Sequence, residues 1–236
     1  MLSWVIVKMI RKAFINNQVL NLIKKASSYS FPIDPCDFAP EEKQIRFVSY
    51  QQFSLDIGIP LSDLISACES SVGCTFYDHV KCRYLILYNI DTAQTVPGRI
   101  RWTKAHELGH IALGHFDQLS CDSSCRLNGK DLESEADYFA ATLLCPMPLF
   151  KPFGISSPVQ IQSQFGLSKE ASINRWNDYL EWQHWHKKTA FESDIVRLYR
   201  QHQNPCDNAP EPWTQTHPTL HRLQKEISER SAIHHL

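Results

Sequence analysis

The sequence predicts an α+β fold: a small β-sheet with one long helix packed on it, followed by a helical region that includes a helix-turn-helix-like element. Three observations predict this. Short β-rich runs precede residue 90, and the longest is Tyr84-Leu85-Ile86-Leu87-Tyr88-Asn89. Two long helical patterns follow, about Arg101 to His115 and Leu132 to Cys145. The first of them carries His106-Glu107-Leu108-Gly109-His110, whose spacing brings its polar groups together only on a helix.

Residues 1–31 read as an N-terminal helical segment, with Val7, Ile10, Phe14, Val19, Leu22 and Ile23 at helical spacing until Pro32 and Pro35 break it. The apolar run Leu2 to Val7 is too short to span a bilayer. Its positive charges, Lys8, Arg11 and Lys12, come after it and not before, unlike a signal peptide. A cytoplasmic protein with no membrane contact is expected. Ile45 to Tyr50 suits a short strand. Leu61 to Cys68 suits a helix opened by Pro60 or Ser62. Cys74 to Tyr77 and Tyr84 to Asn89 are the next strands, and Asp91 to Gly98 a polar connection. Residues 117–130 form a polar loop, and Pro146 and Pro148 stop the helix that ends at Cys145.

Pro158 to Phe165 and Lys169 to Trp182 are two helices around Gly166-Leu167-Ser168, the helix-turn-helix-like element. Past residue 186 the chain is polar, with a last helical stretch near Leu220 to Ser231. The expected division is therefore 1–31, a catalytic-type domain over 32–150, a helical extension over 151–186 and a polar tail over 187–236.

Composition narrows the function. The 236 residues are 43% hydrophobic and 21% charged, which excludes collagen, coiled coil and disorder. Lys and Arg number 24 against 25 acidic residues, a formal charge of −1, so whole-chain charge gives no argument for nucleic acid or an anionic membrane as the main partner. On the second helix of the turn element, Lys169, Asn174 and Arg175 are offset by Glu170, Asp178 and Glu181, while Ile173, Trp176 and Leu180 read as core. Docking or scaffolding is expected there, not direct nucleic-acid binding. The 8 cysteines are scattered without a framework, which predicts reduced thiols. Cys121 and Cys125 lack a second pair at finger-like spacing and read as loop thiols. Trp182, His184, Trp185 and His186 read as a packing cluster.

The pentad carries the chemistry. Four residues turn a helix by about 400°, so His106 and His110 share one face about 6 Å apart along the axis. Two imidazoles so placed can converge on one divalent ion, and with a carboxylate they favour Zn²⁺ over other metals, one ion per chain. Glu107 points about 100° away from His106. It is poorly aimed as a ligand but suits a general base toward an attacking water. A catalytic zinc takes a third protein ligand. His115 stands five residues past His110, about 140° round a continuous helix, so local hydrogen bonding is expected of it. On the next helix, Glu133 and Asp137 share a face. Glu133 is the preferred third ligand, with Asp137 accepting the N–H of a ligating imidazole. Glu135 faces elsewhere and is the alternative ligand.

These residues resemble the ImmA/IrrE family of zinc metallo-endopeptidases. The resemblance runs through Tyr88-Asn89, Arg101 to His110, Leu113-Gly114-His115 and Glu133 to Pro146, and covers about residues 32–180. Trp102 stands where the family usually has Phe, and Cys145 where Met is common. The resemblance implies a gluzincin-like site with His106, His110 and Glu133 on zinc and Glu107 catalytic. It also implies a protein substrate, a helix-turn-helix transcriptional repressor, in the setting of a mobile or phage-related element. The alternative is a zinc-dependent regulator that binds such a repressor without cleaving it. A peptidase must hold its substrate extended, commonly against a sheet edge, and Tyr84 to Asn89 could supply one. Tyr88, His115 and several C-terminal histidines are candidates to stabilise an oxyanion, without a choice among them.

Overall fold

A computed structural model describes residues 11–40, 43–91, 98–116, 129–185 and 189–203. The chain divides into two compact units, Met1–Tyr199 and Arg200–Leu236. The first is α+β.

Helix α1 spans Lys12–Lys25 and buries Ile15, Val19, Leu20, Leu22 and Ile23; residues 1–10 of the expected 1–31 segment lie outside the described residues. A 3-10 turn at Pro35–Phe38 follows, opened by the Asp34 side chain, which accepts from the Cys36 N–H. Strand β1 covers Ile45–Ser49. The chain then turns directly into α2, Tyr50–Ile57, a helix the sequence reading did not anticipate. Ser49 is its cap: the Oγ accepts from the Gln52 N–H at 3.1 Å. Helix α3 is Leu61–Ala67. Strand β2 is Gly73–Asp78 and β3 is Arg83–Tyr88.

The three strands form one sheet in the order β1-β3-β2, with β1 parallel and β2 antiparallel to β3. The strand proposed as a substrate edge is thus the central one, and β2 is at an edge. The cause lies in its side chains. Tyr84 and Ile86 join the main helical core, while Leu85 and Leu87 pack with Val48, Tyr50 and Leu64 on the opposite face. A strand covered on both faces needs an unbroken apolar run.

Helix α4, Arg99–Ala112, and α5, Gly129–Leu144, pack closely together beside the sheet. The main core lies between them and α1 and is sealed by Phe139, Leu143, Phe150 and Phe165. Helices α6, Pro158–Phe165, and α7, Lys169–Trp185, follow, and α7 runs three residues beyond the expected end. Between them Gly166 takes φ +66, and the Ser168 Oγ accepts from the Ala171 N–H at 3.1 Å. Arg175 on α7 is buried and donates to the carbonyls of Ala141 and Cys145 at the end of α5 (3.1 and 2.9 Å).

Helix α8, Ala190–Gln203, lies in the stretch the sequence presents as polar tail. Of the second unit, the described residues are 200–203, the end of α8. Loop 117–130 apart from its last two residues, the Cys121–Cys125 pair, His186 and the stretch Leu220 to Ser231 lie outside the described residues. Among the described residues, Cys36, Cys68, Cys74, Cys82 and Cys145 are free thiols, and no helix is long and apolar enough to cross a membrane.

Candidate functional site

Helix α4 buries Thr103, Ala105, Leu108, Gly109 and Ile111 and turns His106, Glu107 and His110 toward a cavity of about 790 Å³. Gly109 sets the spacing to α5. A Cβ at this position would meet the Phe139 ring at 2.9 Å, so only glycine lets the two helices approach this closely. That approach brings Glu133 and Asp137 of α5 opposite the two imidazoles, and both line the same cavity.

The distances are those of a chelate. His106 Nε2 lies 3.1 Å from His110 Nε2 and 3.2 Å from Glu133 Oε2, and His110 Nε2 is 3.5 Å from Glu133 Oε1. Ligand atoms bonded tetrahedrally at 2.0–2.1 Å would stand about 3.3 Å apart. The three donors, all within 4.8 Å of one another, therefore fit a small divalent ion. Both rings present Nε2, because Nδ1 is engaged behind each. The His106 Nδ1–H donates to Asp137 Oδ1 at 2.9 Å. His110 Nδ1 lies 2.9 Å from His115 Nδ1.

His115 is not among the three donors and hydrogen-bonds locally, as expected, although the turn that places it departs from a continuous helical wheel. Helix α4 ends at Ala112, and Gly114 takes φ +69, a left-handed turn that returns the chain toward the site. His115 is thereby folded back on His110 and is 2% exposed. Its Nε2 faces Glu135 Oε2 at 3.3 Å. Glu135, the alternative ligand, is itself 1% exposed and turned away from the donor triangle. Tyr88 lies outside the cavity wall, its ring 4.7 Å from Lys104 Nζ, whereas His115 lines the cavity.

Glu107 has a partner that the sequence did not suggest: the Thr75 hydroxyl, on edge strand β2, donates to Glu107 Oε2 at 2.7 Å. Strand register delivers this contact. Gly73, two residues before it, lies so close to Thr103 and the Leu87 carbonyl that a Cβ would collide with both. Burial pushes the Glu107 carboxyl up from its ordinary value, against the Thr75 hydrogen bond and the His106 charge. Burial, followed by the neighbouring His106 and His115 charges, drives His110 down to about 3. For His106, burial opposes the charged form but is outweighed by the Asp137 hydrogen bond and nearby carboxylates, so its pKa is raised.

Residues 75–177 match the family model Peptidase_M78, described as the IrrE N-terminal-like domain. Over these residues the chain is similar to that domain. The match starts at Thr75 in β2, runs through α4 and α5 and ends within α7, a narrower span than the 32–180 expected. No curated protein matches the chain. The family is one of metal-dependent peptidases, and it supports a peptidase-type hydrolase as the general class of this domain.

Proposed function

We propose that the IrrE-like domain is a zinc-dependent endopeptidase that cleaves a specific protein, a helix-turn-helix transcriptional repressor. His106, His110 and Glu133 would hold the ion, one per chain. The observation carrying this reading is the donor triangle of 3.1, 3.2 and 3.5 Å with Glu107 on the same cavity wall. When bound, zinc would polarise the scissile carbonyl and acidify the attacking water.

The chain's own residues supply the rest. Glu107 takes the proton of the attacking water and returns one to the leaving amine. Its raised pKa brings it closer to neutrality, where both transfers are feasible. Thr75 holds Oε2 of that carboxylate in place and leaves Oε1 for the proton. Asp137 fixes the His106 ring with Nε2 forward. The substrate would lie extended against the outer edge of β2, whose Gly73, Cys74 and Thr75 line the cavity. The repressor as target rests on the family resemblance alone.

Co-expression with a helix-turn-helix repressor tests the proposal. Wild type should yield fragments, while Glu107→Gln should yield none and still bind the repressor. Binding without fragments from either protein would favour the non-cleaving regulator. Cleavage by Glu107→Gln at the wild-type rate would falsify the catalytic assignment.

A further inference from the structure

Behind His110 the hydrogen bonds continue out of the site and into α1. Arg11 caps this helix and lies 124 residues from Glu135 in sequence. Its Nε donates to Glu135 Oε1 at 2.9 Å and to Oε2 at 3.2 Å, its Nη2 to Oε2 at 2.6 Å, and its backbone N–H to Oε1 at 3.1 Å. Glu135 and His115 are 1% and 2% exposed, so solvent cannot replace these partners.

The direction of every bond in this chain follows from its far end. A guanidinium only donates and a carboxylate only accepts. Glu135, gripped by Arg11, therefore accepts from His115 Nε2–H. His115 is left with a lone pair at Nδ1, and it accepts from His110 Nδ1–H. His110 must then present its own lone pair at Nε2, the atom beside His106 and Glu133. Arg11 lies well outside the matched segment 75–177. The remainder of α1 is secured independently, by its core face and by the Tyr138 hydroxyl, which donates to Asn16 Oδ1 at 3.2 Å.

We infer that Arg11 is a positioning residue of the metal centre, fixing through Glu135 and His115 the tautomer and ring orientation of His110. The N-terminal helix is thus a working part of the site and not only a cover for the core. This rests on the zinc reading above, but its geometry is testable without metal.

The experiment uses the full chain as wild type, Arg11→Gln, Arg11→Lys and Tyr138→Phe. The last removes a hydrogen bond from the same α1–α5 interface without touching the chain to His110. Zinc affinity is measured by chelator competition. Long-range ¹H–¹⁵N spectra of the imidazoles are recorded with and without zinc.

Wild type should show His115 protonated at Nε2 and His110 at Nδ1. Arg11→Gln should lose zinc affinity by up to about 10-fold, the low end of the range for losing a ligand's direct partner because it acts through Glu135 and His115, and its His110 and His115 nitrogens should average between tautomers. Arg11→Lys should recover part of both effects. Tyr138→Phe should change neither, even where its melting temperature falls. The inference is overturned if wild type carries the His115 proton on Nδ1, if Arg11→Gln binds zinc like wild type with tautomers unchanged, or if Tyr138→Phe weakens zinc as much as Arg11→Gln. Should Arg11→Gln fail to fold, the wild-type tautomers and Arg11→Lys still decide. If wild type fails to bind zinc, the metalloenzyme reading falls, and the metal-free spectra alone decide whether Arg11 governs the imidazoles.

Discussion

His106 and His110 stand 3.1 Å apart on one helix, yet the groups behind them are of opposite kinds. Behind His106 is Asp137, 57% exposed and joined by a single hydrogen bond. Behind His110 are the buried His115 and Glu135, the latter held by Arg11, whose side chain is 37% exposed. An exposed ionic partner contributes little to stability because water competes for both ends. A buried one is costly to assemble and more costly to break, since its survivors are left uncompensated away from water. The two rings therefore have equal claims on a metal but unequal claims on the fold.

The sharpest way to break this symmetry is Glu135→Ala against Asp137→Ala. Loss of Glu135 strands the buried His115, while Arg11 keeps access to water, and should destabilise the protein by about 1–3 kcal/mol. Loss of Asp137 should cost under about 1 kcal/mol. Thermal melts of the two metal-free variants check this, and equal melting temperatures would contradict it.

A second substitution acts on both sides at once. Gly109→Val drives a branched side chain at the Phe139 ring and should cost about 1–3 kcal/mol by overpacking, measured by denaturant unfolding. Both imidazoles would move away from α5 together, so zinc affinity should fall even where the fold survives.

The smallest effect is in pH dependence, and its sign differs between the two sides. The folded pKa of His106 is raised, so the stabilisation from Asp137 is full below the unfolded histidine value of about 6.5 and fades as pH rises through the raised value. For Glu135, burial favours the neutral acid but the Arg11 hydrogen bonds outweigh it, so the folded pKa is lowered. Its contribution is full above the unfolded value of about 4.3 and is lost as pH falls through the lowered one. In metal-free protein, the stability gap between wild type and Asp137→Asn should close toward alkaline pH. The gap to Glu135→Gln should close toward acid. Melting curves across pH 2 to 9, which take in the range below about 4.3 where the Glu135 contribution is lost, would show whether the gaps move in opposite directions.

The same contrast separates what the sequence could tell from what it could not. The His106–His110 pair and the Glu133–Asp137 face are periodicities within single helices, and periodicity is written in spacing. The role of His115 depends on where a helix stops. A wheel drawn through Gly114 sends the ring away from the site, but a left-handed glycine sends it back. Gly114 itself was the available signal, since glycine near a helix end often marks such a turn. Thr75 had no signal, because its contact with Glu107 depends on the pairing of β2 with β3. The central place of β3 was legible in its unbroken apolar run. Helix α2 was missed because Ser49 ends a strand and caps a helix at the same residue, leaving no polar gap between them.

The buried guanidinium of Arg175 bears on how this protein can be divided. It closes the carbonyl end of the helix that carries Glu133 and Asp137, answering the partial negative charge there from α7. A fragment ending near residue 150 would keep every residue of the cleft yet leave those carbonyls without their donor. Excision of a minimal active piece must accordingly retain α7 at least through Arg175.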